Sequence, residues 1–140
     1  MNRNTPSRAG LRRAHLVLAG AVCYAGTLAM IDTDGYVQPA REATGLTAVG
    51  VFDKQIDNSG GLSGDAHAEV NRGYFKLAGA TGADEIAAGD IGKPCYAVDA
   101  QTVALTDGSG TRSVAGIIDG VDGDGGVWVY VDPTSGVALG

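Results

Sequence analysis

The chain has 140 residues, 44% of them hydrophobic and 19% charged, the size and make-up of one soluble globular domain with room for a core. Its 23 glycines follow no Gly-X-Y period and it holds only 4 prolines, which excludes collagen-like and Pro-rich linker classes. With aromatics at 6%, the core falls to Val, Ala, Leu and Ile.

The net charge of −6 is unevenly spread. Arg3, Arg8, Arg12 and Arg13 precede every acidic residue, so the rest of the chain is strongly acidic and repels nucleic-acid phosphate. Residues 1–13 therefore read as an extended basic arm, in which Pro6 and Gly10 discourage helix, ahead of a β domain over 14–140. Residues 14–31 contain no Asp, Glu, Lys or Arg and follow Arg12-Arg13. That layout matches a secretory leader with Ala19-Gly20-Ala21 as its cleavage site, and it is about long enough to span a membrane. However, Gly20, Gly26 and Thr27 interrupt a helix, and His15 and Tyr24 dilute the apolar run. A strand, a turn and another strand fit the segment better; a secreted or envelope-associated protein with a signal peptide is the alternative.

Further along, turn signals recur at Asp34-Gly35, Asn58-Ser59-Gly60-Gly61, Ala80-Thr81-Gly82, Asp107-Gly108 and Asp122-Gly123-Asp124-Gly125-Gly126. Between them lie short β-rich runs at 46–52, 74–78, 102–106, 114–118 and 127–131. Many short strands punctuated by Gly and Asp predict an all-β fold, a small β-barrel or β-tulip-like domain. Residues 83–88 alone suggest a helical turn. In the last run Val127, Val129 and Val131 face one way and Trp128 and Tyr130 the other. The valine face belongs to the core, and the aromatic face is a candidate subunit contact.

Two stretches echo one another. Cys23-Tyr24-Ala25 stands beside Cys95-Tyr96-Ala97, and 47–53 beside 113–119, so 21–53 and 93–119 read as two similar β-units packed face to face. In this alignment the second unit lacks the loop around 41–45.

Chemistry is hard to find. Cys23 and Cys95 are too few for a disulfide scaffold and read as small buried strand residues. Asp119, Asp122 and Asp124 before Gly125 have the wrong spacing for an EF-hand and no closing Glu, and a hairpin turn explains them better. The sequence Asp32-Thr33-Asp34-Gly35 reads the same way. His15 and His67 lack ligand spacing, and no nucleophile elbow, Walker loop or His-Glu-x-x-His helix occurs. The expectation is a non-enzyme with no catalytic residues, no metal and no cofactor.

Several strings, in order, resemble the capsid cement (head decoration) proteins of Mu-like phages. They are Asn2-Arg3-Asn4-Thr5-Pro6-Ser7-Arg8-Ala9-Gly10, Thr47-Ala48-Val49-Gly50-Val51, Arg72-Gly73-Tyr74-Phe75, the run from Asp90-Ile91-Gly92-Lys93-Pro94-Cys95-Tyr96 through Gly110-Thr111-Arg112-Ser113, and Val127-Trp128-Val129. Arg12-Arg13-Ala14-His15 is more basic than is usual in that family. The resemblance implies a β domain, often trimeric, that clamps neighbouring major capsid subunits on the outer surface of the virion after assembly in the host cytoplasm. Its expected partners are the major capsid protein and copies of itself, with neither membrane nor direct nucleic-acid binding. Arg3, Arg8, Arg12 and Arg13 would form the capsid-binding arm, and Trp128 and Tyr130 a subunit or shell contact.

Overall fold

The computed structural model describes Thr5 and residues 11–133. The fold is almost wholly β. In chain order the strands are β1 (Arg12–Leu16), β2 (Val22–Cys23), β3 (Leu28–Ile31), β4 (Val37–Pro39), β5 (Thr47–Phe52) and β6 (Ile56–Asp57), then β7 (His67–Asn71), β8 (Gly73–Gly79), β9 (Pro94–Ala97), β10 (Thr102–Ala104), β11 (Val114–Val121) and β12 (Gly126–Val131). Residues 83–88 do not form one helical turn. Two 3-10 turns, Gly82–Asp84 and Ala88–Asp90, flank an extended piece in which Glu85 has ψ 133° and Ala87 has ψ 168°. That extension drops Ile86 into the core, at 4% exposure.

Strands β8, β12, β11, β9 and β10 close into a barrel, sealed by a parallel pairing of β10 with β8. The first sheet runs β1-β7-β5-β3-β4; it is not a fully closed ladder, but a single parallel bridge between Val17 and Val37 brings its outer strands together into a barrel-like unit, the first barrel in chain order. The two sheets share one plan, with β1, β3, β4, β5 and β7 matching β8, β9, β10, β11 and β12. The match extends to individual bonds. Gly26 N–H donates to Phe52 O at 2.9 Å and Phe52 N–H to Thr27 O at 3.0 Å; Gly92 donates to Ile118 O at 2.8 Å and Ile118 to Lys93 O at 2.9 Å. The Asp32 N–H to Tyr36 O turn, 3.1 Å, has its counterpart in Val98 N–H to Thr102 O, 3.0 Å. Register shifts fall at equivalent places, between Ala29 and Met30 against β5 and between Val114 and Gly116 on β11.

This geometry sets one gapless register that carries Gly26 onto Gly92, Gly50 onto Gly116 and Asp53 onto Asp119. It retains the pairing of 47–53 with 113–119 but corrects the other half of the echo. Cys95 pairs with Gly116 as Ala29 pairs with Gly50, whereas Cys23 lies on β2 and pairs with Ile56. The loop at 41–45 has a full-length counterpart at 107–111. Two identical Cys-Tyr-Ala strings outweigh Ala29 and Met30 by eye, but the register depends on where a bulge admits a glycine.

Inside the first barrel lie Val17, Ala29, Val37, Val49, Phe52, Ala68 and Val70, with Cys23 of the β2–β6 pair beside them. The second core contains Leu77, Cys95, Val103, Ala115, Ile118, Val127, Val129 and Val131, and also Leu28, Met30, Ala40 and Ala48 from the first sheet. Alternation explains the sharing. Ala29 points into its own barrel, so Leu28 and Met30 point out of it and into the second core. Polar links reinforce the junction: Leu28 N–H donates to Ala100 O at 2.8 Å, Ser113 Oγ–H donates to Ala43 O at 2.6 Å, and Arg112 Nε donates to Glu42 at 2.7 Å. Residues 14–31 thus contain part of β1, then β2 and β3, and supply Val17, Cys23, Leu28, Ala29 and Met30, all at 0% exposure. Among the described residues no helix is long and apolar enough to cross a membrane.

Candidate interaction surface

On β8 and β12 the inward series is apolar, and the outward series forms a compact aromatic strip. Antiparallel pairing sets Tyr130 opposite Tyr74 and Trp128 opposite Lys76. The tyrosine rings lie 4.9 Å apart between centroids, tilted by 37°, within the favourable range for aromatic pairs. Tyr74 is 60% and Trp128 38% exposed, so no loop covers them. Trp128 and Tyr130, expected from alternation to face outward, do so and lie together. Tyr74 and Lys76 complete the strip. Their outward alternation was visible in the sequence, but their pairing with β12 was not.

The strip is held from its edge. The β11–β12 hairpin turns through Asp122 and Asp124, and Lys76 Nζ reaches both, at 3.0 and 2.8 Å. Trp128 Nε1–H donates to Asp122 at 3.2 Å, which fixes the indole, and Tyr130 O–H donates to Asp132 at 3.1 Å. Hydrogen bonds that Lys76 donates to Asp124 and then to Asp122 raise its pKa, and the Lys76 ammonium lowers that of Asp124. The hydrogen bond to Asp132 raises that of Tyr130. Lys76 also borders an open groove of about 830 Å³ that continues along Leu77–Ala80, Glu85, Ile86 and the hairpin turn.

Asp122 and Asp124 therefore serve a hairpin and an ion pair. Asp32 does related work at the β3–β4 turn, where its carboxylate accepts from the Asp34 and Tyr36 amides at 3.0 Å each. No group of three or more His, Cys, Asp or Glu side chains placed to hold a metal occurs among the described residues. Cys23 and Cys95 are free and buried. Burial pushes their thiols up to about 11 and about 12, and Cys95 donates to the Gly116 carbonyl. Neither is a ready thiolate.

The four arginines are not one unit. Arg3 and Arg8 lie outside the described residues. Arg12 and Arg13 lie in β1, so the arm boundary at residue 13 falls inside a strand. The ladder pairs Arg12 with Asn71 and Arg13 with Val70 and continues through Arg72 N–H to Leu11 O at 2.9 Å. Arg12 faces outward to Asp53 at 3.4 Å, Glu69 at 3.5 Å and the Asn71 side chain at 3.0 Å. Arg13 donates to the Arg12 carbonyl at 2.8 Å. No family model, curated protein or solved structure matches the chain.

Proposed function

We propose that this protein is a non-enzymatic capsid decoration protein that binds the outside of an assembled phage head and bridges major capsid subunits as a homo-oligomer, a trimer in the family it resembles. The observation that carries the proposal is the aromatic strip of Tyr74, Trp128 and Tyr130, held outward by Asp122, Asp124 and Asp132. Exposed Trp and Tyr on a pinned hairpin are costly to leave in water and lose little side-chain entropy on docking, the usual character of an interface anchor. A body that carries all 16 acidic residues favours a protein shell over phosphate or a membrane surface.

In this reading Arg3 and Arg8 reach carboxylates on the shell, and Arg12 and Arg13 root that segment on β1. Arg12 already holds Asp53 and Glu69, so its contribution to docking is the smaller. Many modest contacts multiplied by oligomer valency hold the protein without a deep pocket.

Cosedimentation of the purified chain with heads that lack it tests this directly. The wild-type chain is expected to pellet at a fixed ratio to the major capsid protein. Trp128→Ala with Tyr74→Ala is expected to reduce occupancy by about tenfold or more, as for loss of a central aromatic anchor. If the wild-type chain stays in the supernatant, or the double variant binds as well as wild type, the proposal is wrong.

A further inference from the structure

The correspondence between the barrels exposes a difference at one end of the first. Gly50 abuts Val70 and Asn71 as Gly116 abuts Val129 and Tyr130. On that register, and through the β1–β7 and β8–β12 ladders, His15 takes the place of Leu77, Arg13 that of Phe75 and Arg72 that of Val131. In the second barrel these inward positions are apolar and belong to one core with Leu28, Met30, Ala40 and Ala48 from the first half of the chain. In the first barrel the inward series begins apolar, with Val17, Ala68 and Val70, and becomes polar, with His15, Arg13 and Arg72, towards the end from which β7 leaves.

Two of these side chains, His15 and Arg72, lack what burial demands. His15 Nε2 and Arg72 Nε are buried with no hydrogen-bond partner. Among the described residues Arg72 forms no ion pair; its amide, not its guanidinium, bonds to Leu11. The acids on these strands are committed elsewhere: Glu69 points outward to Arg12, and Asp132 accepts from Tyr130, whose hydroxyl lies within electrostatic reach of Arg72. A half-buried guanidinium beside an unpartnered imidazole is costly unless an acceptor arrives. Leu11, 64% exposed, lies at the same end.

We infer that this end of the first barrel takes a carboxylate side chain of a protein partner, presented between apolar residues on an extended segment. The second barrel gives the pattern for the apolar part, since its own core takes in Leu28 and Met30 from an extended strand outside that barrel. The Arg72 guanidinium supplies the demand for charge. Arg72 would form the charge-assisted bond and His15 a second donor. This inference does not rest on the capsid reading and can fail or hold independently of it.

The test is NMR of the full chain, following the His15 ring and the amides of β1 and β7. The probes are a blocked Val-Glu-Val peptide, its Val-Gln-Val counterpart and inorganic phosphate. The Glu peptide is expected to give a saturable shift, with a response about tenfold weaker for the Gln peptide, the scale of one charge-assisted contact, and no response in Arg72→Gln. If that variant does not fold, His15→Gln read through the backbone amides replaces it and is expected to weaken the response. No shift, equal shifts with the two peptides, or an undiminished response in the variant would overturn the inference. Phosphate acting as strongly as the Glu peptide would also overturn it, in favour of a small-anion site.

Discussion

Gly50 and Gly116 show how much depends on single residues here. A Cβ at Gly116 would run into the Tyr130 carbonyl and the Val129 side chain, and one at Gly50 into the Asn71 carbonyl and Val70. Gly50 also sits at φ +148°, where a side chain is strained. Gly116→Ala is expected to cost about 1–3 kcal/mol from overpacking, and Gly50→Ala at least as much, read as a lower urea midpoint with an unchanged slope. His15 makes a contrasting prediction. Burial first, then Arg72 and Arg13, depresses its pKa below the ordinary value of 6.5. The unfolded chain therefore binds the proton more readily, and this contribution to stability is complete above 6.5 and declines as pH falls below it. The depressed carboxyls of Asp84, Asp90 and Asp124 act in the same direction below 3.8. In urea titrations between pH 7 and 5, His15→Leu, which copies Leu77 of the second barrel, is expected to flatten the upper part of this acid loss. An unchanged profile would show that His15 does not carry it.

At the scale of the strands, the second half was the more legible. The runs at 46–52, 74–78, 102–106, 114–118 and 127–131 became β5, β8, β10, β11 and β12, each within a few residues of its observed bounds. These runs are rich in Val, Ile and aromatics, and Gly or Asp closes most of them. The strand expected within 14–31 begins earlier than its sequence suggests, at Arg12, because the outward residues of β1 include Arg12 and its inward ones include Arg13 and His15, leaving no apolar alternation to read. Likewise β7, His67–Asn71, alternates only through Ala68 and Val70. The aromatic strip was half legible: period two placed Trp128 and Tyr130 on one face, but Tyr74 and Lys76 join them through a register that no local pattern encodes. Because β12 is anchored by its valine face, Trp128→Ala is expected to change stability by about 1 kcal/mol or less while weakening shell binding. A large loss of stability would mean that the indole is part of the core rather than a contact. Leu28 behaves in the opposite way. It is fully buried at the junction between barrels, and Leu28→Ala is expected to cost about 2–5 kcal/mol.

For the whole molecule, the junction decides whether two barrels behave as one body. Leu28 and Met30 belong to a strand of the first sheet and to the core of the second, and the Arg112–Glu42 and Ser113–Ala43 bonds cross the same boundary. Unfolding followed by Trp128 fluorescence, in the second barrel, and by the His15 resonance, in the first, is therefore expected to give coincident transitions. Separated midpoints would show that the barrels fold independently. On the proposed reading this joined pair of barrels would serve as a clamp, its body setting the spacing and its aromatic strip making the contact. The most direct test is electron cryomicroscopy of heads with and without the protein. The expected difference density repeats at fixed positions on the outer lattice, spans adjacent major capsid subunits and turns the β8–β12 hairpin towards the shell. No difference density, or density on the inner surface, would contradict the decoration role, and density with the hairpin turned to solvent would contradict the part assigned to Trp128.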